Sequence, residues 1–141
     1  MGGRAVVLRI FEDEMSELTC LELGLVLWLV HVFAQVLIAM SGLGIPYLVG
    51  ARDAPLADPG TLLGRATRAL HNYVENFAPF AAADLGLIAT QHTGGAGATI
   101  WILARIVYIP IYFVGIPYLR TGIWIVSIFG LVMMLAQLAG H

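Results

Sequence analysis

The chain has 141 residues, 60% of them hydrophobic and 11% charged, with a mean hydropathy of +0.88, and that composition excludes a water-soluble globule. All seven basic residues are arginine, and nine acids leave a net charge of −2, so no basic surface is available for nucleic acid. A span takes roughly 20 apolar residues, so the length holds about four spans and no separate soluble domain. The apolar runs are long and continuous, which excludes a membrane barrel built from short alternating strands.

Residues 1–22 form a mixed, acidic N-terminal extension. Glu12, Asp13, Glu14 and Glu17 precede the first apolar run where a secretory signal would carry basic residues. Met15 opens the phrase MSELTCLELG and is a candidate start. Cys20 is the only cysteine, so no intrachain disulfide forms. From about residue 23 to 141 the chain reads as one membrane domain. A first span is expected over about 23–49, with Trp28 and Tyr47 near its ends, where amphipathic rings favour the interface.

The stretch ARDAPLADPGTLLGRATRAL is the most polar in the chain. Asp58 followed by Pro59 is a helix start, because the carboxylate accepts from free amides and proline tolerates the first turn. The second helix should run from there to about residue 90, with its span over 68–90. QHTGGAGAT is an uncharged loop. A third span is expected over about 100–119 and a fourth over about 122–139, with a turn at Arg120 and Thr121. Arg52, Arg65, Arg68 and Arg120 lie in or beside the first and third loops. The bias of arginine toward the cytoplasm then puts those loops inside and both termini outside.

An ionisable group within a span is costly and reads first as functional. On the second helix, Arg68, Asn72 and Glu75 are spaced by four and three residues, which stacks them on one stripe. His71 lies at the same depth. The stripe continues through Ala78, Ala82 and Gly86, small residues of the kind that line helix interfaces in membranes. Arg105, Tyr108 and Tyr112 share a face of the third span, which Pro110 and Pro117 interrupt. Asp84 lies about half a turn away from Glu75 and is assigned as a structural partner of Arg105. His31 and Gln35 are one turn apart and suit a hydrogen-bonded pair. A single histidine without a second ligand motif does not make a metal site.

RATRALHNYVENFAPF followed by ARIVYIPIYFVGIPYLRT resembles the MAPEG family, the membrane-associated proteins in eicosanoid and glutathione metabolism. That family includes microsomal glutathione transferases, prostaglandin E synthase, leukotriene synthase and the lipoxygenase-activating protein. The resemblance extends from about residue 23 to the end. Its most specific elements are Arg68, Asn72 and Glu75 on the second helix, and Arg105, Tyr108, Tyr112 and a later Arg120. The short polar loop and IPYLVGARDAP resemble bacterial members. The resemblance implies an all-α bundle of four transmembrane helices in a homotrimer, with glutathione as co-substrate between subunits near the cytoplasmic face.

By that resemblance Arg120 activates the thiol, with Thr121 beside it. Arg52, Arg68, Asn72, Glu75, Tyr108 and Tyr112 bind the tripeptide, while Asp84, Arg105 and His31 are structural polar residues. Residue chemistry agrees, since glutathione carries two carboxylates, an ammonium and a thiol. Arginines with one acid match that set, and a permanent guanidinium near sulfur lowers the thiol pKa. The implied function is a glutathione-dependent transferase or peroxidase of the membrane, acting on hydrophobic electrophiles, in a bacterial inner membrane. The other reading is a non-catalytic lipid-binding or accessory subunit of a larger membrane complex, because a fold does not establish an enzyme.

Overall fold

The computed structural model describes residues 15–51, 53, 58, 60–93 and 95–140, and these form helices and connections only. The helices are α1 (Glu17–Leu43), α2 (Ile45–Val49), α3 (Gly60–Ala89), α4 (Ala96–Val114) and α5 (Pro117–Ala139). α1, α4 and α5 are each long and apolar enough to cross a membrane. Val26, Phe33, Leu37, Phe129 and Leu135 are exposed, which is the expected state of a helix whose solvent is lipid.

Local chemistry accounts for most helix ends. Ser16 caps α1, its side chain accepting from the Thr19 amide at 3.2 Å. α1 therefore begins at Glu17, six residues before the expected span. The expected continuous run to residue 49 is broken at Gly44, whose φ of 78° no ordinary residue adopts easily, and Pro46 then starts the short α2. Asp58 caps α3 as expected, with Oδ1 accepting from the Gly60 amide at 3.0 Å. Pro59 lies outside the described residues.

The turn between the last two long helices is not at Arg120 and Thr121. It lies at Gly115, which is left-handed at φ 86°, and Ile116, with Pro117 at the first turn of α5. Glycine past the end of one helix and proline just inside the next is the usual punctuation. Pro110 by contrast stays inside α4. The consequence is that Arg120 and Thr121 are helical, one turn into α5.

The contacts between helices give their directions. Tyr73 Oη donates to Gly24 O at 2.6 Å, and Cys20 has Asp84 beside it, so α3 runs antiparallel to α1. Arg105 reaches Asn72 and Arg65 reaches Phe113, so α4 is antiparallel to α3. Gly97 meets Gly130 and Met134, which makes α5 antiparallel to α4. The bundle is up-down-up-down. α1 and α4 cross in the same sense, so the chain must return between them through α3. At 30 residues, α3 is about 45 Å long and exceeds the ~30 Å hydrocarbon core.

The core is an aromatic stack. Phe80 lies on Trp101 with ring centroids 3.9 Å apart and planes at 12°, and Tyr73 and Phe77 flank the same indole. Gly24 leaves room for Phe77, since a Cβ there would sit 2.6 Å from its ring. This stack sets the register of α3 against α4, and that register positions the site.

Candidate functional site

At the end of the bundle that carries the α4–α5 turn, a cavity of about 500 Å³ opens between α3, α4 and α5. It is lined by Arg68, His71, Asn72, Glu75, Tyr108, Tyr112, Arg120, Thr121 and Trp124. Seven of the residues expected in a site thus meet in one cavity. Arg52, the remaining expected binding residue, lies outside the described residues. Trp124 was not anticipated. It follows Arg120 by one helical turn, so the helical period of α5 would have placed it on the same face.

Each wall has its own character. α3 contributes the stripe Arg68, Asn72 and Glu75, in which Arg68 and Glu75 are exposed and Asn72 is half-buried. Tyr108 and Tyr112 are buried with ring centroids 5.4 Å apart, and form the inner wall. The Arg120 guanidinium lies 5.0 Å above the Tyr112 ring. A cation held over an aromatic face at that distance is attracted by the ring quadrupole. Thr121, also on the cavity lining, donates back to the Pro117 carbonyl at 3.1 Å.

Below the cavity, Arg105 is buried among Trp101 and Tyr108 at 5.2 and 5.4 Å from their ring centroids. Its Nη1 donates to Asn72 Oδ1 at 2.9 Å, and the Asn76 amide donates to the Asn72 carbonyl at 2.7 Å. Asn72 is therefore held from two sides. The expected pairing of Arg105 with Asp84 is not found. Phe80 pairs with Trp101, so Arg105 and Asp84 each lie four residues beyond that contact in opposite directions, about 12 Å apart along the axis.

Asp84 instead lies fully buried at the far end of the bundle, near Cys20 and Glu17, and among the described residues neither of its oxygens has a hydrogen-bond partner. His31 does not pair with Gln35. Its Nδ1 bonds the Leu27 carbonyl at 2.7 Å, and its ring packs on Tyr73 with centroids 4.5 Å apart. Gly86 leaves the exposed small-residue stripe as well, because it packs against Leu138 of α5. Ala78 and Ala82 remain exposed. Among the described residues, no group of three or more His, Cys, Asp or Glu side chains is placed to hold a metal ion.

The MAPEG family profile matches residues 19–140. The chain belongs to the MAPEG family. No curated protein sequence and no solved structure matches it. The match takes in all four long helices, and it makes the protein a member of a family of membrane proteins of glutathione-related transferase and peroxidase chemistry. In this MAPEG member the spacing between Tyr112 and Arg120 along the chain is not the relevant distance. The two residues are on different helices, and the Gly115 turn brings the guanidinium back over the ring.

Proposed function

We propose that the protein is a glutathione-dependent transferase or peroxidase of the membrane, acting on hydrophobic electrophiles, with Arg120 as the cation that stabilises the thiolate. The observation that carries this reading is the one cavity that collects Arg68, Arg120, Glu75, Tyr108 and Tyr112. Its volume falls in the range of sites for small molecules, roughly 300–1,000 Å³. The donor set also fits the ligand. Two guanidiniums suit anionic groups, the Glu75 carboxylate suits the ammonium, and Asn72 and the phenols supply neutral hydrogen bonds.

The chemical requirement is a thiolate at neutral pH. Glutathione supplies the sulfur, and each unit by which the site lowers its pKa corresponds to about 1.36 kcal/mol of preferential stabilisation of the anion. Arg120 is permanently charged, half-buried and braced by the Tyr112 ring, so its charge meets less water than a free surface arginine. In the transferase reaction, sulfur forms a bond to the electrophilic carbon and the leaving group departs with its electron pair. In the peroxidase reaction, two glutathiones give a disulfide while the hydroperoxide becomes alcohol and water.

The same reading includes a homotrimer in a bacterial inner membrane, with both termini outside. Exposed Glu75, Ala78 and Ala82 form a face on which a second copy can pack closely. The arginine distribution supports a cytoplasmic position for the cavity, where thiols are kept reduced.

Glutathione titration into the purified parent and into Arg120→Leu tests the reading, with ultraviolet thiolate absorbance and the apparent thiol pKa as readouts. The parent should lower that pKa, and the variant should leave it near the solution value even where binding survives. Binding without thiolate formation, or no binding, would transfer the assignment to a lipid-binding or accessory subunit.

A further inference from the structure

We propose that Arg65 is a positioning residue for Arg120: it pins the turn between α4 and α5 and thereby sets where the Arg120 guanidinium stands over Tyr112. The proposal rests on the thiolate-holding role of Arg120 given above. It begins from an acceptor that the sequence leaves without a donor. Were α4 to continue, the Phe113 carbonyl would accept from the amide of residue 117, but Pro117 has no N–H. Ile111 O, two residues earlier, already takes the Gly115 and Ile116 amides at 3.0 and 3.4 Å.

Arg65 supplies the missing donor from another helix. Its Nη1 donates to Phe113 O at 3.0 Å and to Val114 O at 3.4 Å. The charge is also placed favourably, because a cation at the last carbonyls of a helix meets the negative end of its dipole. Gly115 makes the approach possible. A Cβ at that residue would stand 2.8 Å from Arg65 Cζ, and its φ of 86° already disfavours any side chain.

From the pinned segment α5 starts at once, the Arg120 amide bonding the Ile116 carbonyl at 3.1 Å. Arg65 stands one turn before Arg68 on α3 and is not among the residues lining the cavity. It therefore ties the helix that carries the binding stripe to the turn from which the helix bearing Arg120 starts. Without it, the turn would keep the bonds of the Gly115 and Ile116 amides to Ile111 O but lose the tie from Arg65 of α3.

The experiment uses the full-length protein in detergent micelles, with Arg65→Met, Arg65→Lys and Gly115→Ala. Tyr73→Phe serves as a control that removes a buried hydrogen bond in mid-bundle. Two readouts are taken: the apparent pKa of bound glutathione, and amide exchange over residues 118–121 without ligand. Arg65→Met should return the thiol pKa toward its solution value and speed exchange roughly tenfold or more, as expected for losing a hydrogen bond to a charged group.

Arg65→Lys keeps a charge and a donor and should restore most of both readouts, whereas Gly115→Ala should reproduce the loss. Tyr73→Phe should lower thermal stability and leave the bound-thiol pKa unchanged. If Arg65→Met lowers stability as Tyr73→Phe does but keeps the parental thiol pKa and exchange, the residue is a structural cap and the proposal is overturned. If the parent forms no thiolate, the reading of Arg120 fails, and exchange decides the pinned turn by itself: acceleration reversed by Arg65→Lys upholds it, and unchanged exchange overturns it.

Discussion

Gly130→Ala should loosen the seam between α4 and α5. A Cβ on Gly130 would sit 2.7 Å from Gly97 O and 3.0 Å from the Trp101 amide nitrogen, and a Cβ on Gly97 would meet Gly130 O at 2.7 Å in return. The obstacles are backbone atoms, so no rotamer change relieves them. Ordinary contact begins near 3.4 Å, so the helices must separate by about 0.7 Å, and a gap of ~0.5–1 Å forfeits a quarter to a half of each contact well of ~0.1–0.2 kcal/mol. Over the roughly 40–60 atom contacts that a buried side chain such as Met134 makes, the loss is about 3 kcal/mol, at the upper end of the 1–3 kcal/mol typical of overpacking. Lipid is as apolar as the seam, so there is no hydrophobic term to offset the loss of packing.

The assay is unfolding in mixed SDS and dodecylmaltoside micelles, followed by circular dichroism, on parent, Gly130→Ala and Gly122→Ala. At Gly122 an added Cβ meets nothing within 4 Å. There the same chemical change should stabilise by about 0.5–1 kcal/mol through helix propensity. Opposite signs at two glycines of one helix are the expected outcome. Gly130→Ala at or above parental stability would refute the close approach of the two backbones.

Three further outcomes are expected. Glu75→Gln should raise the glutathione Kd by about tenfold, the worth of one charge-assisted hydrogen bond of ~1.5 kcal/mol, without moving the pKa of the thiol that still binds. Asp84→Leu should be neutral or stabilising by ~1–3 kcal/mol in the same unfolding assay, because the buried carboxyl has no hydrogen-bond partner to lose among the described residues. In a Cys20→Ser background, an impermeant thiol reagent applied to intact cells should label Thr93→Cys and leave Ala51→Cys unlabelled. Both positions are exposed, and the reverse pattern would invert the topology.

What was legible in the sequence was local. Apolar runs of membrane-spanning length, a capping aspartate before Gly60 and the spacing of Arg68, Asn72 and Glu75 each depend on residues within a turn or two of one another. The helical period alone therefore put that stripe on one face. The approximate cavity composition was legible for the same reason, since Tyr108 and Tyr112 share a face of one helix and Arg120 opens the next.

Register between helices was not legible, because it is decided by contacts among residues dozens of positions apart. From sequence, Asp84 is assigned as the partner of Arg105. The stack of Phe80 on Trp101 instead set Arg105 against Asn72, and left Asp84 at the other end of the bundle. The turn before α5 was misplaced because a continuous apolar run hides a break that Gly115 and Pro117 make together. That break placed Arg120 over Tyr112 at 5.0 Å. The side chains that could occupy the cavity thus follow from sequence, while their distances follow from tertiary packing, because glycine contacts and ring stacking fix how far each rigid helix slides past its neighbour.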